Sequence, residues 1–270
     1  MEYLHRIKCN GFMNISDFLQ PHIIFLSILA SLVLYKFIAF ISKNSNSGQF
    51  DEVVLRGTKD PEGYTDKTII SNAFKEWWAF VISPVEEMLI KSKIGPNALT
   101  SISFLVSFLT AYLYANGLIM IASIFVLSGS SFDILDGRVA RMTNQVSSKG
   151  AFLDSVLDRL SEIVIMFGLF AYFFPAYFCY VVFLTICFSL TVSYVKSIAT
   201  NLGIDSNTGM MQRPERVVFL GIGGLASGIC EYYQIQFFGI EDFLLMSAIS
   251  VIAVFSLIST IQRILISIKN

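Results

Sequence analysis

The sequence predicts an all-α, polytopic membrane protein with a six-helix transmembrane core, an interfacial juxtamembrane helix and one extra N-terminal transmembrane helix. Two observations support this fold class. Of the 270 residues, 54% are hydrophobic and only 14% are charged, with a mean hydropathy of +0.66, whereas soluble domains have about 25% charged residues. The apolar residues also fall into runs long enough to cross a bilayer, separated by short polar connections.

Residues 1–70 are expected to form a separate N-terminal region. An apolar segment at about 21–42, interrupted only by Lys36, is long enough to span a membrane. It is too long for the apolar part of a signal peptide and no small-residue cleavage site follows it, so a retained anchor is favoured. Residues 42–67 are rich in Ser, Asn, Gly and Asp, which is typical of a linker or surface loop. The domain that carries the chemistry is therefore predicted at 71–270.

An interfacial helix is predicted at 74–93, a segment that mixes aromatic residues, including Trp77 and Trp78, with Lys and Glu. This segment is too charged to span a membrane but keeps one apolar side, as helices lying in the membrane interface do. Six core spans follow it. Their approximate limits are 96–116, 118–143, 150–173, 175–200, 214–230 and 243–266.

The distribution of Lys and Arg predicts the orientation of these spans. The connections near 116–118, 172–178 and 229–242 contain neither residue, whereas the opposite ends of the spans carry many of them. Positive charge in short connections stays on the cytoplasmic side. The chain is therefore predicted to be an integral protein of the cell membrane, with the acidic motif described next facing the cytoplasm.

Four aspartates lie between long apolar runs at that side of the membrane. Asp133 and Asp136 are three residues apart, and Asp154 and Asp158 are four apart, so each pair shares one face of its helix. If the two faces meet, the carboxylates repel one another unless cations neutralise them. Ligands that are all oxygen favour a hard divalent cation such as Mg²⁺ or Mn²⁺ over zinc. The alternative, acids on a solvated surface, is disfavoured because acids beside a span are costly and usually functional.

Residues 133–158 fit the pattern D-x2-D-G-x2-A-R-x8-G-x3-D-x3-D at every fixed position. This pattern resembles the signature of the CDP-alcohol phosphotransferases (class I CDP-alcohol phosphatidyltransferases), integral membrane enzymes that make phospholipids. The resemblance extends from about Pro96 to the C-terminus. It implies transfer of a phosphatidyl-type group from a CDP-activated lipid to an alcohol, with release of CMP, by a two-metal in-line displacement. Dimers are usual in the family, so a homodimer is also expected.

The resemblance also implies roles for individual residues. Two ions, Mg²⁺ or Mn²⁺, would be held by Asp133, Asp136, Asp154 and Asp158, and Asp158 would also deprotonate the acceptor alcohol. The residues expected to bind the CDP-lipid are Asn97, Thr100, Gly137, Ala140, Arg141, Ser147 and Gly150. Two of these have simpler structural alternatives, since Asn97 suits a helix cap and Ser147 a loop hydroxyl.

The predicted acceptor site involves three basic residues, Lys196, Arg213 and Arg216. They lie in Tyr194-Val195-Lys196 and in a G-x3-R-x-E-R stretch at 209–216, which resemble the segments of family members that use inositol phosphate. Basic side chains beside a helix start suit an acceptor that carries a phosphate. Alternatively, these are only positive charges beside spans, and Arg216 pairs with an acid. The residues at 197–200 depart from the family pattern, so glycerol phosphate, serine or another alcohol remains an alternative acceptor.

Other classes of function fit the sequence less well. A divalent-cation transporter would place its acids near the membrane midplane, whereas these lie toward span ends. An inactive relative is not supported, because all four aspartates are present. The net charge of −1 and the lack of a basic run give no indication of nucleic-acid binding. The four cysteines have no C-x2-C spacing and the two histidines lie near the N-terminus, so neither a metal–thiolate site nor a Ser-His hydrolase is indicated.

Overall fold

The computed structural model describes residues 85–86, 88–92, 94–204, 209 and 211–269. The predicted anchor at 21–42, the linker and the first part of the interfacial helix lie outside these residues, so the division of the chain at residue 70 stays a prediction. Within the described part of the chain, every long element is an α-helix. The all-α class is confirmed.

Six long helices lie close to the six predicted spans. They are α1 (Pro96–Ala115), α2 (Ile119–Met142), α3 (Ser148–Phe173), α4 (Phe178–Asn201), α5 (Arg213–Tyr232) and α6 (Phe243–Lys269). Four of the described helices, α1, α2, α4 and α6, are long and apolar enough to cross a membrane. Helices α3 and α5 have 26 and 20 residues, but charged residues of the candidate site lower the apolarity of their first turns. The polytopic class is thus supported, and a core of six spans stays a prediction.

A short helical segment precedes α1. Residues 85–86 and 88–91 are helical and form the end of the predicted interfacial helix. Glu86 makes a buried ion pair with Arg138 of α2, whose Nη2 and Nε lie 2.8 and 2.9 Å from Glu86 Oε2. Leu89 packs in one buried cluster with Leu99 and Leu135. The segment is therefore held against both α1 and α2.

Local sequence determines where α3 and α5 begin. Ser147 is extended, and its Oγ accepts the backbone N–H of Gly150 at 3.1 Å, which caps α3. At α5, Pro214 lies in the first turn, where a missing N–H costs nothing. The Gln212 N–H donates to Glu215 Oε2 at 3.0 Å, one half of a capping box. The positions where α3 and α5 begin set where their site residues lie along the axis of the bundle.

The six helices form a closed ring. Each packs against two neighbours, in the order α1, α2, α5, α6, α4, α3 and back to α1. The main apolar core fills one half of the ring, at the end of α1 and the beginnings of α2 and α6, with Tyr114, Ile119 and Ile249 at its centre. The opposite half of the bundle is formed by the start of α1, the end of α2 and the starts of α3 and α5. The polar motif residues are therefore collected at one end of the bundle.

Two glycines of α5 allow it to pack closely on α2. A Cβ built on Gly224 would lie 2.0 Å from Ser123 Oγ, and one on Gly228 would lie 2.8 Å from the Met120 Cα. A side chain at either position would overlap α2. The small-x3-small pair at 224 and 228 therefore serves helix packing within the chain, as is common in membrane bundles.

Candidate active site

Asp133 and Asp136 of α2 are both held by hydroxyl groups of α1. Ser103 Oγ donates to Asp133 Oδ1 at 2.5 Å, and Thr100 Oγ1 donates to Asp136 Oδ2 at 2.5 Å. The donors are three residues apart on α1, matching the spacing of the acceptors on α2. These hydrogen bonds hold both carboxylates against α1.

Asp158 of α3 reaches the same site through Arg213, the first residue of α5. Arg213 Nη1 lies 2.8 Å from Asp158 Oδ2, and Arg213 Nη2 lies 2.7 Å from Asp133 Oδ2. Asp154, one turn before Asp158, interacts electrostatically with Asp133 and Arg213. Asp158 in turn interacts with Asp133, Asp154 and Asp136. The structure therefore brings the two predicted acidic faces together.

The site is open enough for a ligand to enter. The side chains of Asp133, Asp158 and Arg213 retain 10%, 17% and 26% of their exposure. Beneath them is a cavity of about 40 Å³, lined among others by Asp133, Glu162 and Arg216. A cavity of this volume has room for water molecules but not for a nucleotide or a phosphorylated alcohol.

The donor set suits a hard divalent cation, because every candidate ligand is a carboxylate oxygen. Within the described residues, however, no three acidic, His or Cys side chains are arranged as ligands of one ion. The guanidinium of Arg213 stands between Asp133 and Asp158 and supplies the positive charge there. The residues fit a divalent cation chemically, provided that Arg213 releases at least one of the two carboxylates.

Three residues predicted to bind the CDP-lipid lie together at the start of α3. A Cβ on Gly150 would be 3.1 Å from Asn97 Oδ1 and 3.1 Å from Ser147 Oγ. The absence of a side chain at Gly150 thus leaves room for the Asn97 and Ser147 side chains beside its backbone. Thr100 was also predicted to bind the CDP-lipid, but its hydroxyl donates a hydrogen bond to Asp136.

The remaining CDP-lipid candidates line the end of α2. The Arg141 guanidinium lies beside Gly137, since a Cβ built there would be 3.5 Å from Arg141 Nη1. Ala140 is half-buried on the same helix. Gly137 immediately follows Asp136, so its bare backbone and the Arg141 fork border the aspartates.

The three predicted acceptor residues have different environments. Arg213 bonds the aspartates, as described above. Arg216 makes a bidentate ion pair with Glu162 of α3, with Nε 2.6 Å from Oε1 and Nη2 2.8 Å from Oε2. Pairing with an acid was the alternative left open for Arg216. Lys196 lies half-buried near the end of α4.

Sequence reasoning assigned no role to Ser103, Glu162 or Arg263. Ser103 and Glu162 are the partners of Asp133 and Arg216. Arg263 is buried in α6, and its Nη1 donates to the Val192 carbonyl of α4 at 2.9 Å. The available signals were an acid four residues after Asp158 and an arginine inside an otherwise apolar span. Neither signal identifies the partner of the residue.

The comparisons with known proteins identify the family of the chain. The family model described as CDP-alcohol phosphatidyltransferase matches residues 93–268. An archaetidylinositol phosphate synthase of Methanothermobacter thermautotrophicus is 32% identical over 192 residues, covering 71% of this chain and 91% of the relative. A phosphatidylinositol phosphate synthase of Mycobacteroides abscessus is 30% identical over 194 residues, covering 70% of this chain and 84% of the relative.

Solved structures share the fold. The crystal structure of Mycobacterium tuberculosis phosphatidylinositol phosphate synthase with CDP-DAG bound has a TM-score of 0.59 and 24% identity, covering 68% of this chain and 92% of that one. The same enzyme in complex with manganese and citrate has a TM-score of 0.60. The chain belongs to the CDP-alcohol phosphatidyltransferase family. It is an integral membrane transferase of phospholipid biosynthesis.

Proposed function

We propose that this chain transfers a phosphatidyl-type group from a CDP-activated lipid to inositol phosphate, releasing CMP. The carrying observation is that Arg213 is bonded to both Asp133 and Asp158. This contact joins a basic residue of the proposed acceptor site to the acidic pairs of α2 and α3. The names of the relatives, which are inositol phosphate lipid synthases, support the choice of acceptor.

Asp133, Asp136, Asp154 and Asp158 would hold two divalent cations, Mg²⁺ or Mn²⁺. When bound, such ions stabilise charge on the attacking and leaving oxygens of a phosphoryl displacement. Arg213 competes with them for charge on Asp133 and Asp158. On release from a carboxylate its guanidinium becomes available to the phosphate of the acceptor, which planar forks bind well.

Asp158 would act as the general base. It removes the proton of the acceptor hydroxyl, whose oxygen attacks the β-phosphorus of the CDP-lipid. The bond from that phosphorus to the bridging oxygen breaks, CMP leaves, and the new ester joins the lipid phosphate to the acceptor. The partial exposure of Asp158 supports this role, because the proton must reach water after each turnover.

The CDP moiety would bind between the starts of α1 and α3 and the end of α2. Asn97, Ser147 and the Gly150 backbone form one polar group there, and Gly137 with Arg141 forms another. Arg141 suits a phosphate oxygen, and the small residues Gly137 and Ala140 leave room for the nucleotide. Thr100 would act through Asp136, to which it is bonded.

Lys196 and Arg213 would bind the phosphate of the acceptor. We further propose that the site faces the cytoplasm, where a soluble phosphorylated alcohol is available, and that the protein is a homodimer. The same reaction with glycerol phosphate or serine is the alternative, since the residues at 197–200 depart from the family pattern.

The test uses purified full-length protein with a CDP-linked lipid, Mg²⁺ and one candidate acceptor at a time, following CMP release. We expect release with inositol phosphate, and much less with glycerol phosphate or serine. Faster release with glycerol phosphate or with serine than with inositol phosphate would contradict the acceptor assignment. Cation flux through protein-containing vesicles without any CMP release would contradict the transferase itself.

A further inference from the structure

Two ion pairs connect α3 with α5 across the ring. The outer pair is Asp158–Arg213 and the inner pair is Glu162–Arg216. Glu162 follows Asp158 by four residues and Arg216 follows Arg213 by three, so each pair of residues lies on one face of its helix. The two ion pairs are therefore stacked one helical turn apart.

These side chains bridge two helices that are not neighbours in the ring. Helix α3 packs against α1 and α4, whereas α5 packs against α2 and α6. The small cavity beneath Asp133 lies between α3 and α5, and Glu162, Arg213 and Arg216 are part of its lining. At the level of the site the charged pairs connect α3 with α5, whereas deeper in the bundle the two helices share the apolar core through Met166 and Leu220.

The inner pair is the more rigid of the two. Arg216 uses Nε and Nη2 in two parallel bonds to Glu162, at 2.6 and 2.8 Å, and the two side chains are 2% and 11% exposed. A bidentate fork fixes both distance and orientation, and burial protects the pair from screening by salt. Arg213 is more exposed, and its two bonds go to carboxylates on different helices.

We propose that Glu162 and Arg216 are positioning residues that hold α5 at the height where Arg213 reaches both the catalytic aspartates and the acceptor. Arg216 follows Arg213 by less than one turn of the same helix, so fixing Arg216 fixes the backbone that carries Arg213. This inference rests on the proposed function, in which Arg213 binds the acceptor phosphate. It gives Arg216 an indirect role, through Arg213.

Glu162→Gln tests this inference, because it removes the charge of Glu162 while keeping its size. We expect the acceptor KM to rise at least tenfold and the KM for the CDP-lipid to change less than twofold. Glu162→Asp keeps the charge but shortens the side chain, so its acceptor KM should lie between those of Glu162→Gln and the unchanged protein. If Glu162→Gln does not fold, Glu162→Asp decides alone, with an expected rise of about threefold in the acceptor KM only.

Thr185→Val is the matched control, since Thr185 is a buried polar residue of α4 whose hydroxyl bonds its own helix at Val181. It should leave both KM values unchanged. The inference is overturned if the acceptor KM stays within twofold in the Glu162 variants, or if both substrates' KM values rise equally. If the proposed acceptor is wrong, the unchanged protein will not release CMP with inositol phosphate, so this failure is distinguishable from a failure of the inference. The KM comparison is then made with whichever alcohol supports CMP release.

Discussion

Replacing Asp158 by asparagine should abolish the transferase activity without unfolding the protein. The substitution keeps the shape of the side chain. In the unchanged protein Arg213 Nη1 lies 2.8 Å from Asp158 Oδ2, and the amide oxygen of asparagine can still accept a hydrogen bond there. It removes a negative charge that lies near three other aspartates, so the lost attraction to Arg213 is offset by relieved repulsion. A general base contributes roughly 10²–10⁴-fold to rate. We therefore expect kcat to fall about 10³-fold or more.

The assay is CMP release at saturating CDP-lipid and acceptor, with thermal unfolding in detergent measured on the same preparation. Asp242→Asn is a matched control at the opposite end of the bundle, where Asp242 accepts hydrogen bonds from Tyr172 and Ser227 at 2.5 and 2.9 Å. It should retain full kcat even if its melting temperature falls. A kcat for Asp158→Asn within threefold of the unchanged protein would refute the role of Asp158 as base.

Three further substitutions test other parts of the structure. Glu86→Gln leaves Arg138 with an uncompensated buried charge, which costs about 3–5 kcal/mol. The melting temperature in detergent should therefore fall by about 10 °C. An unchanged melting temperature would mean that the ion pair does not hold the helical segment at 85–86 and 88–91 against α2. Gly150→Ala adds a Cβ at 3.1 Å from two polar side chains. In CMP-release assays the KM for the CDP-lipid should rise several-fold while the acceptor KM stays the same. Equal changes in the two KM values would place Gly150 outside the nucleotide site. Gly228→Val forces a side chain into the α2 backbone near Met120, so the yield of folded protein in size-exclusion chromatography should fall sharply, whereas a normal yield would contradict the close packing of α5 on α2.

The elements that sequence reasoning predicted well are those with strong periodicity. The six helices lie near the expected limits because apolar runs of spanning length are interrupted by residues that do not continue a helix. Gly117, just after the end of α1, is one of them, with a positive φ of 75°. Each aspartate pair shares one helix face because of its three- or four-residue spacing, and the packing of the ring then brings the two faces together. The small-x3-small spacing of Gly224 and Gly228 is also readable in the sequence, and such pairs favour the close helix packing that the structure has there.

Other features depend on contacts between distant parts of the chain. The Glu86–Arg138 pair joins residues 52 positions apart, and no local spacing indicates that they meet. For Arg213 and Arg216, the sequence places both at the start of α5 but does not say which acid each one faces. The order of helices in the ring was equally hidden, because every span offers an apolar surface to several possible neighbours.

The central claim is that the four aspartates together hold two divalent cations, and Mn²⁺ binding tests it most directly. Mn²⁺ is titrated into detergent-solubilised protein and the free ion is measured by electron paramagnetic resonance. The account predicts two bound ions per chain in the unchanged protein, and loss of at least one in Asp136→Asn and in Asp154→Asn, with Asp242→Asn still binding two. Unaltered Mn²⁺ binding in both site variants would contradict it.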